Sequence, residues 1–245
     1  MKKYLLSFLC LVMIGCATES VLLSPVPPGS RLSNETLDFR GKTITTYIAY
    51  NAEKKLSGMS EGEILELITS NYQAIESDLS AWTRQRGYPL LEVEKKPEYE
   101  RYYIKKVKPK TNPKKVAVVV SEDGLETSLS PLAFSLAAAL EGAEVHIYIQ
   151  GPAVKMFESG FEAKLSGFSR PFSYFARKQL ADMGHSPPQE KLRQMYDLGV
   201  HLYLCAPSVD YFGVDKNKLI FNDIPVIEYL SFMEIASESD VQFYP

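Results

Sequence analysis

The chain reads as α/β, with a doubly wound parallel sheet preceded by a smaller two-layer sandwich. Three observations predict this. Apolar runs such as Lys115–Ser121 (KVAVVVS) and Glu144–Gln150 (EVHIYIQ) alternate with helical stripes, the signature of βαβ units on a parallel sheet. Upstream, about 70 residues follow the order β-α-β-α-β-β. Between them, residues 105–115 (KKVKPKTNPKK) hold six lysines and two prolines, a run that cannot bury itself.

In the first unit, a short strand at Leu37–Gly41 leads into a helix over 43–57, with Ile44, Ile48, Ala52 and Leu56 four residues apart. A strand over Glu63–Thr69 reads as covered on both faces. A helix over 71–86 carries the stripe Tyr72, Ile75, Leu79 and Trp82, and Gly87 closes it. Strands Leu90–Glu94 and Tyr99–Val107 flank a Lys-Lys-Pro turn. The second unit opens on Lys115–Ser121 and a helix over 127–140, then Glu144–Gln150. Residues 152–186 read as irregular, with Met183-Gly184-His185 as part of a lid. Pro188 starts a helix with Leu192, Met195 and Tyr196 on its stripe, stopped by Gly199. A strand over Val200–Cys205, a helix within Ile224–Ser237 and a short strand at Asp240–Phe243 complete it. The expected division is signal 1–15, tether 16–34, first domain 35–107, linker 108–114 and second domain 115–245.

Composition excludes several classes. The 245 residues are 45% hydrophobic and 23% charged, with only three cysteines, so the chain is neither disordered nor disulfide-built. A net charge of −3 gives no electrostatic reason to bind nucleic acid. No glycine-rich phosphate loop or G-x-S-x-G elbow occurs. His146, His185 and His201 are dispersed and show no metal-ligand spacing, so no metal or cofactor is expected.

Lys2 and Lys3 precede the short apolar run Tyr4–Ile14, which is the pattern of an export signal. It ends Met13-Ile14-Gly15-Cys16, which resembles a bacterial lipobox. That resemblance implies diacylation of Cys16, a protein held on a bacterial membrane (the outer one in a Gram-negative cell) and loss of Cys10 with the signal. Residues 17–34, with three prolines, read as a solvated tether. Cys205 then remains as an odd thiol.

Cys205 closes the strand VHLYLC, at the edge of a parallel sheet where ligands bind. Pro207 and Ser208 suit a helical turn that would favour the thiolate. On pattern alone, a buried inert cysteine is the commoner outcome. Glu122-Asp123-Gly124 follows the first strand of the unit and is expected at the same crevice, as acid/base groups or as a solvated loop. His201 shares a strand face with Cys205 but lies about 13 Å away at 3.3 Å per residue, too far to tune the thiol. It reads instead as a satisfied core histidine.

Residues 115–245 resemble the DsrE/DsrF-like family, chiefly through VVVSEDGLETSLSPLAFSLAAALEGAEVHIYI and LGVHLYLCAPSVDYFGVDKNKLI. Cys205, Ser208 and Gly213 occupy the family's places. The resemblance implies that Cys205 carries persulfide between a donor and an acceptor protein that the sequence does not name, and a homo-oligomer is compatible with it. Residues 36–107, opening on LDFRG, resemble the TusA (SirA-like) carriers. That family starts its first helix with Cys-Pro-x-Pro, where this chain has Ile44-Thr45-Thr46-Tyr47. The first domain is therefore expected to be a non-catalytic docking module. The alternative for the whole chain is a scaffolding lipoprotein with Cys205 merely buried.

Overall fold

The computed structural model describes residues 27–244. The signal, Cys10, Cys16 and the first part of the tether lie outside the described residues. No helix among those described is long and apolar enough to cross a membrane.

The first layer pair contains β1 (Glu35–Asp38), α1 (Thr45–Ser57), β2 (Ile64–Ser70), α2 (Gln73–Arg86), β3 (Leu90–Lys95) and β4 (Tyr99–Lys105). Its sheet runs β1-β2-β4-β3, with β1 parallel to β2 and the other pairs antiparallel. Ile48, Ala52 and Leu56 of α1 and Ile75, Leu79 and Trp82 of α2 are buried against Leu65, Leu67, Tyr102 and Ile104. Tyr72 belongs to the expected stripe, but it is the N-cap of α2 and is exposed. Gly87 ends α2 in the left-handed region at φ 73°, where an L side chain is strained.

The second face of this sheet is also buried at its centre, as expected for β2, although no helix covers it. Instead Pro27–Arg31 lies across it. The Ser30 N–H donates to Glu94 Oε1 at 2.6 Å, and the Pro27 carbonyl accepts from the Arg101 guanidinium. A Cβ at Gly29 would collide with the Tyr103 hydroxyl and the Arg101 guanidinium, so a larger residue there would displace them. The end of the expected tether over 16–34 is thus hydrogen-bonded to the sheet, while most of its described residues stay exposed.

The second sheet contains β5 (Lys115–Val120), β6 (Glu144–Ile149), β7 (His201–Cys205), β8 (Val226–Ile227) and β9 (Val241–Phe243). Its order is β8-β7-β6-β5-β9 and every pair is parallel. α3 (Leu125–Leu140) and α5 (Pro188–Asp197) contribute Leu132, Leu136, Leu192 and Met195 to one face. α7 (Tyr229–Ser237) covers part of the other through Phe232 and Ala236. Helices on both faces of an all-parallel sheet make the doubly wound arrangement. Two details differ from the sequence expectation. Tyr196 is more than a third exposed, and the stretch read as irregular contains a regular helix, α4 (Ser173–Asp182), whose only buried residue is Ser173. Without a buried apolar stripe, α4 had no periodicity to be read from.

The connection over residues 106–114 is irregular, as its lysines and prolines predict, yet it is bound to both sides. Lys110 N–H donates to the Arg86 carbonyl at 2.8 Å and Asn112 N–H to the Gly142 carbonyl at 3.0 Å. Buried apolar residues of the two sheets form one continuous cluster, in which α1 packs on α3. The Tyr50 hydroxyl reaches Asp197 Oδ2 at 2.9 Å across this junction. The first layer pair is therefore docked on the second.

Candidate functional site around Cys205

β7 carries Leu202 and Leu204 to the α3 side of the sheet, while Tyr203 and Cys205 face α7. The strand ends at Cys205, which is the N-cap of the short helix α6 (Ala206–Tyr211). Pro207 in its first turn is pre-set for helical φ and needs no N–H partner there. Ser208 is thereby returned toward the sulfur. Its hydroxyl oxygen accepts the Gly151 N–H at 2.9 Å, which leaves the hydroxyl proton free for another acceptor.

Cys205 has 0% relative exposure. Burial pushes its thiol pKa up, but hydrogen bonding from Ser208, Tyr148 and Tyr229 to the sulfur more than offsets this and brings the pKa below its ordinary value. The Ser208 backbone N–H acts in the same direction without closing a full capping bond. Tyr148 is itself buried and its phenol is held protonated, first by burial and then by the adjoining sulfur. Tyr229, the first residue of α7, is the only one of the three with a large exposed surface, at 52%. Its phenol too is raised by the sulfur it donates to. The arrangement is a buried thiol whose pKa is lowered by neighbouring hydroxyls, with Tyr229 on the solvent side.

The thiol is enclosed, the commoner outcome on pattern alone, and its pKa lies below the ordinary value. Tyr148 and Tyr229 escaped the sequence reading because they reach the sulfur only through sheet pairing and the return of α7. Replacing Tyr229 with Phe removes one donor to an anion, a loss of about 1.5 kcal/mol at least. The Cys205 pKa is therefore expected to rise by about one unit. The pH profile of alkylation by iodoacetamide measures it, and an unmoved midpoint would remove Tyr229 from this role.

Other residues singled out from sequence fall elsewhere. Glu122, Asp123 and Gly124 do line a crevice, of about 600 Å3, together with Lys155, Lys164 and Arg170. Cys205 is not among its lining residues. Met183-Gly184-His185 is a joint rather than a lid. The Met183 carbonyl accepts the N–H groups of Thr43 and Ile44, Gly184 packs on Tyr47, and His185 Nδ1 accepts from Lys191 at 3.1 Å. These contacts cover the start of α1, where a carrier cysteine would stand in the TusA pattern. His201 is exposed, not a core histidine, and its ring stacks on His146.

Comparison with known proteins agrees with the two-part reading. Sulfurtransferase TusA matches residues 49–106, which begins inside α1 and leaves out the turn where the carrier motif would lie. The crystal structure of the ychN protein from E. coli is similar at 15% identity, covering 55% of this chain and 100% of that one, with a TM-score of 0.41. No curated protein matches the chain. Both matched families point to sulfur relay. With residues 114–243 matched over their whole parallel sheet, the chain belongs to the DsrE/DsrF-like family.

Proposed function

We propose that this protein traffics sulfur as a persulfide on Cys205, with the TusA-like part as a docked, non-catalytic module and a lipid on Cys16 as a membrane tether. The observation that carries it is the set of hydroxyls around the Cys205 sulfur, which lowers the thiol pKa. A thiolate attacks the outer sulfur of a donor persulfide. The new bond joins Cys205 Sγ to that sulfur, the donor's S–S bond breaks, and the donor leaves as a thiolate. The proton on the outer sulfur moves with it, and no net oxidation occurs. Because the sulfur is enclosed, the donor reaches it by displacing the Tyr229 ring, the one exposed group on it.

The first layer pair has no cysteine among residues 27–114, so it supplies no second station for the sulfur. Its role in this reading is structural, through the packing of α1 on α3 and the seating of α1 against Met183. Zero exposure of Cys205 favours the competing reading, a scaffold with a structural cysteine, and one experiment separates them. The purified chain is treated with a persulfide donor and analysed by intact mass. One added sulfur per chain is expected, lost in Cys205→Ser. A folded wild type that stays unmodified would leave the scaffold reading standing. Fractionation of cells bearing Cys16→Ala tests the tether, with release from membranes expected.

A further inference from the structure

The parallel pairing of β6 with β7 sets His146 beside His201 in register. Their rings stack at 4.6 Å between centroids, 13° from parallel. Glu144, two residues earlier on the same face of β6, places Oε1 at 2.9 Å from His146 Nε2. One ligand atom from each of the three residues lies within 4.8 Å of the others. The cluster sits at the start of β6 and β7, at the far end of β7 from Cys205.

We infer that Glu144, His146 and His201 form a binding site for a divalent transition metal, of which Zn2+ is the best match. Two imidazoles and one carboxylate are a borderline-hard donor set, suited to Zn2+, Ni2+ or Cu2+ rather than to Mg2+ or Ca2+. At bond lengths near 2.0–2.2 Å, the ligand atoms of a tetrahedral Zn2+ stand roughly 3.3 Å apart. The present spacing comes within a side-chain rotation of that value. Glu144 and His201 are both exposed and free to make that adjustment, whereas His146 is buried and held.

What holds His146 is the feature that distinguishes a built site from two neighbouring histidines. The Tyr203 hydroxyl lies 3.1 Å from Nδ1, the ring nitrogen turned away from Glu144. Without metal, His146 Nε2–H donates to Glu144 Oε1 and Nδ1 accepts from the Tyr203 hydroxyl; a metal on Nε2 takes the place of that proton, and Nδ1–H then donates to the Tyr203 oxygen. A partner on the far nitrogen is the usual support of a metal-bound histidine. The neighbouring cation Lys115 is drawn toward Glu238, 3.7 Å away. Three protein ligands at the strand-start end of the sheet, two of them exposed, leave a fourth position open to water or an anionic ligand.

The test uses the full chain carrying Cys10→Ser and Cys16→Ser, stripped with chelator and titrated with Zn2+ by calorimetry. One site per chain is expected. Affinity should fall at least tenfold in His201→Ala and in Glu144→Gln, both exposed positions whose folding circular dichroism checks. Tyr203→Phe should weaken binding about tenfold by releasing His146. A further Cys205→Ser should leave the affinity unchanged, and the Co2+ form should show d–d bands with no thiolate charge-transfer band. Equal affinity in His201→Ala, or a charge-transfer band that vanishes with Cys205→Ser, overturns the site.

Discussion

Arg101→Ala is expected to destabilise the protein by about 3–5 kcal/mol, the usual loss when one partner of a buried ion pair is removed. The side chain is 2% exposed and Nη1 meets Glu66 Oε1 at 2.8 Å. The same guanidinium donates to the Pro27 carbonyl and lies over the Tyr99 ring at 5.4 Å. Without it, Glu66 keeps only hydroxyl donors, the nearest being Thr36 Oγ1 at 2.8 Å. A buried carboxylate without a cation is the state that proteins avoid. The segment Pro27–Arg31 would lose its anchor at the same time, so the chain just before β1 should become sensitive to protease. Urea unfolding measures the first effect. The double variant Arg101→Met, Glu66→Leu should recover most of the stability, since it removes both charges from the sheet face. A single variant within about 1 kcal/mol of wild type would show that the pair is solvated in the folded protein.

The second large effect is a dependence on pH centred on Lys191. Burial on α5 lowers its pKa to about 8, and the neighbouring His185 is lowered to about 4 by its own burial and by the lysine's charge. The sign follows from linkage. Between pH 8 and 10 the unfolded chain holds a proton on Lys191 that the native protein has released, so stability rises with pH across that window. Below pH 8 both states are protonated and the penalty of a buried ammonium is present in full. Wild type is expected to gain about 2 kcal/mol more than Lys191→Met on going from pH 8 to pH 10. Comparing the two removes the contribution of the tyrosines, whose raised pKa values act in the opposite direction above pH 10. Parallel stability curves for the two proteins would refute it.

Much of the layered fold was legible in the residues because burial leaves a periodic trace. The stripes on α1, α2, α3 and α5 and the apolar runs of β5 and β6 each bury a face, and burial selects side chains at fixed spacing. Helix α4 left no such trace because it buries almost nothing. The start of the first sheet is the converse case. Pro27–Arg31 has the composition of a tether, yet it is pinned by the buried charge of Arg101. Nothing in the order of residues tells a buried charge from an exposed one until its partner is placed.

The candidate sites divide in the same way. Cys205 could be picked out alone, since a cysteine closing an apolar strand before Pro-Ser is a local pattern. Its donors could not. Tyr148 lies on a neighbouring strand, Tyr229 arrives with α7, and only the return of the chain across the sheet brings their hydroxyls to one sulfur. The histidine pair makes the same point more sharply. His146 and His201 are 55 residues apart and looked dispersed, because motif spacing senses only ligands on one turn or one strand. The sequence by itself determined the strands and helices that bury a face, through periodicity, and that Cys205 ends a strand. The tertiary structure alone decided which strands lie side by side and in what register, because backbone hydrogen bonds carry no side-chain identity. Register is what sets imidazole on imidazole and phenol on sulfur.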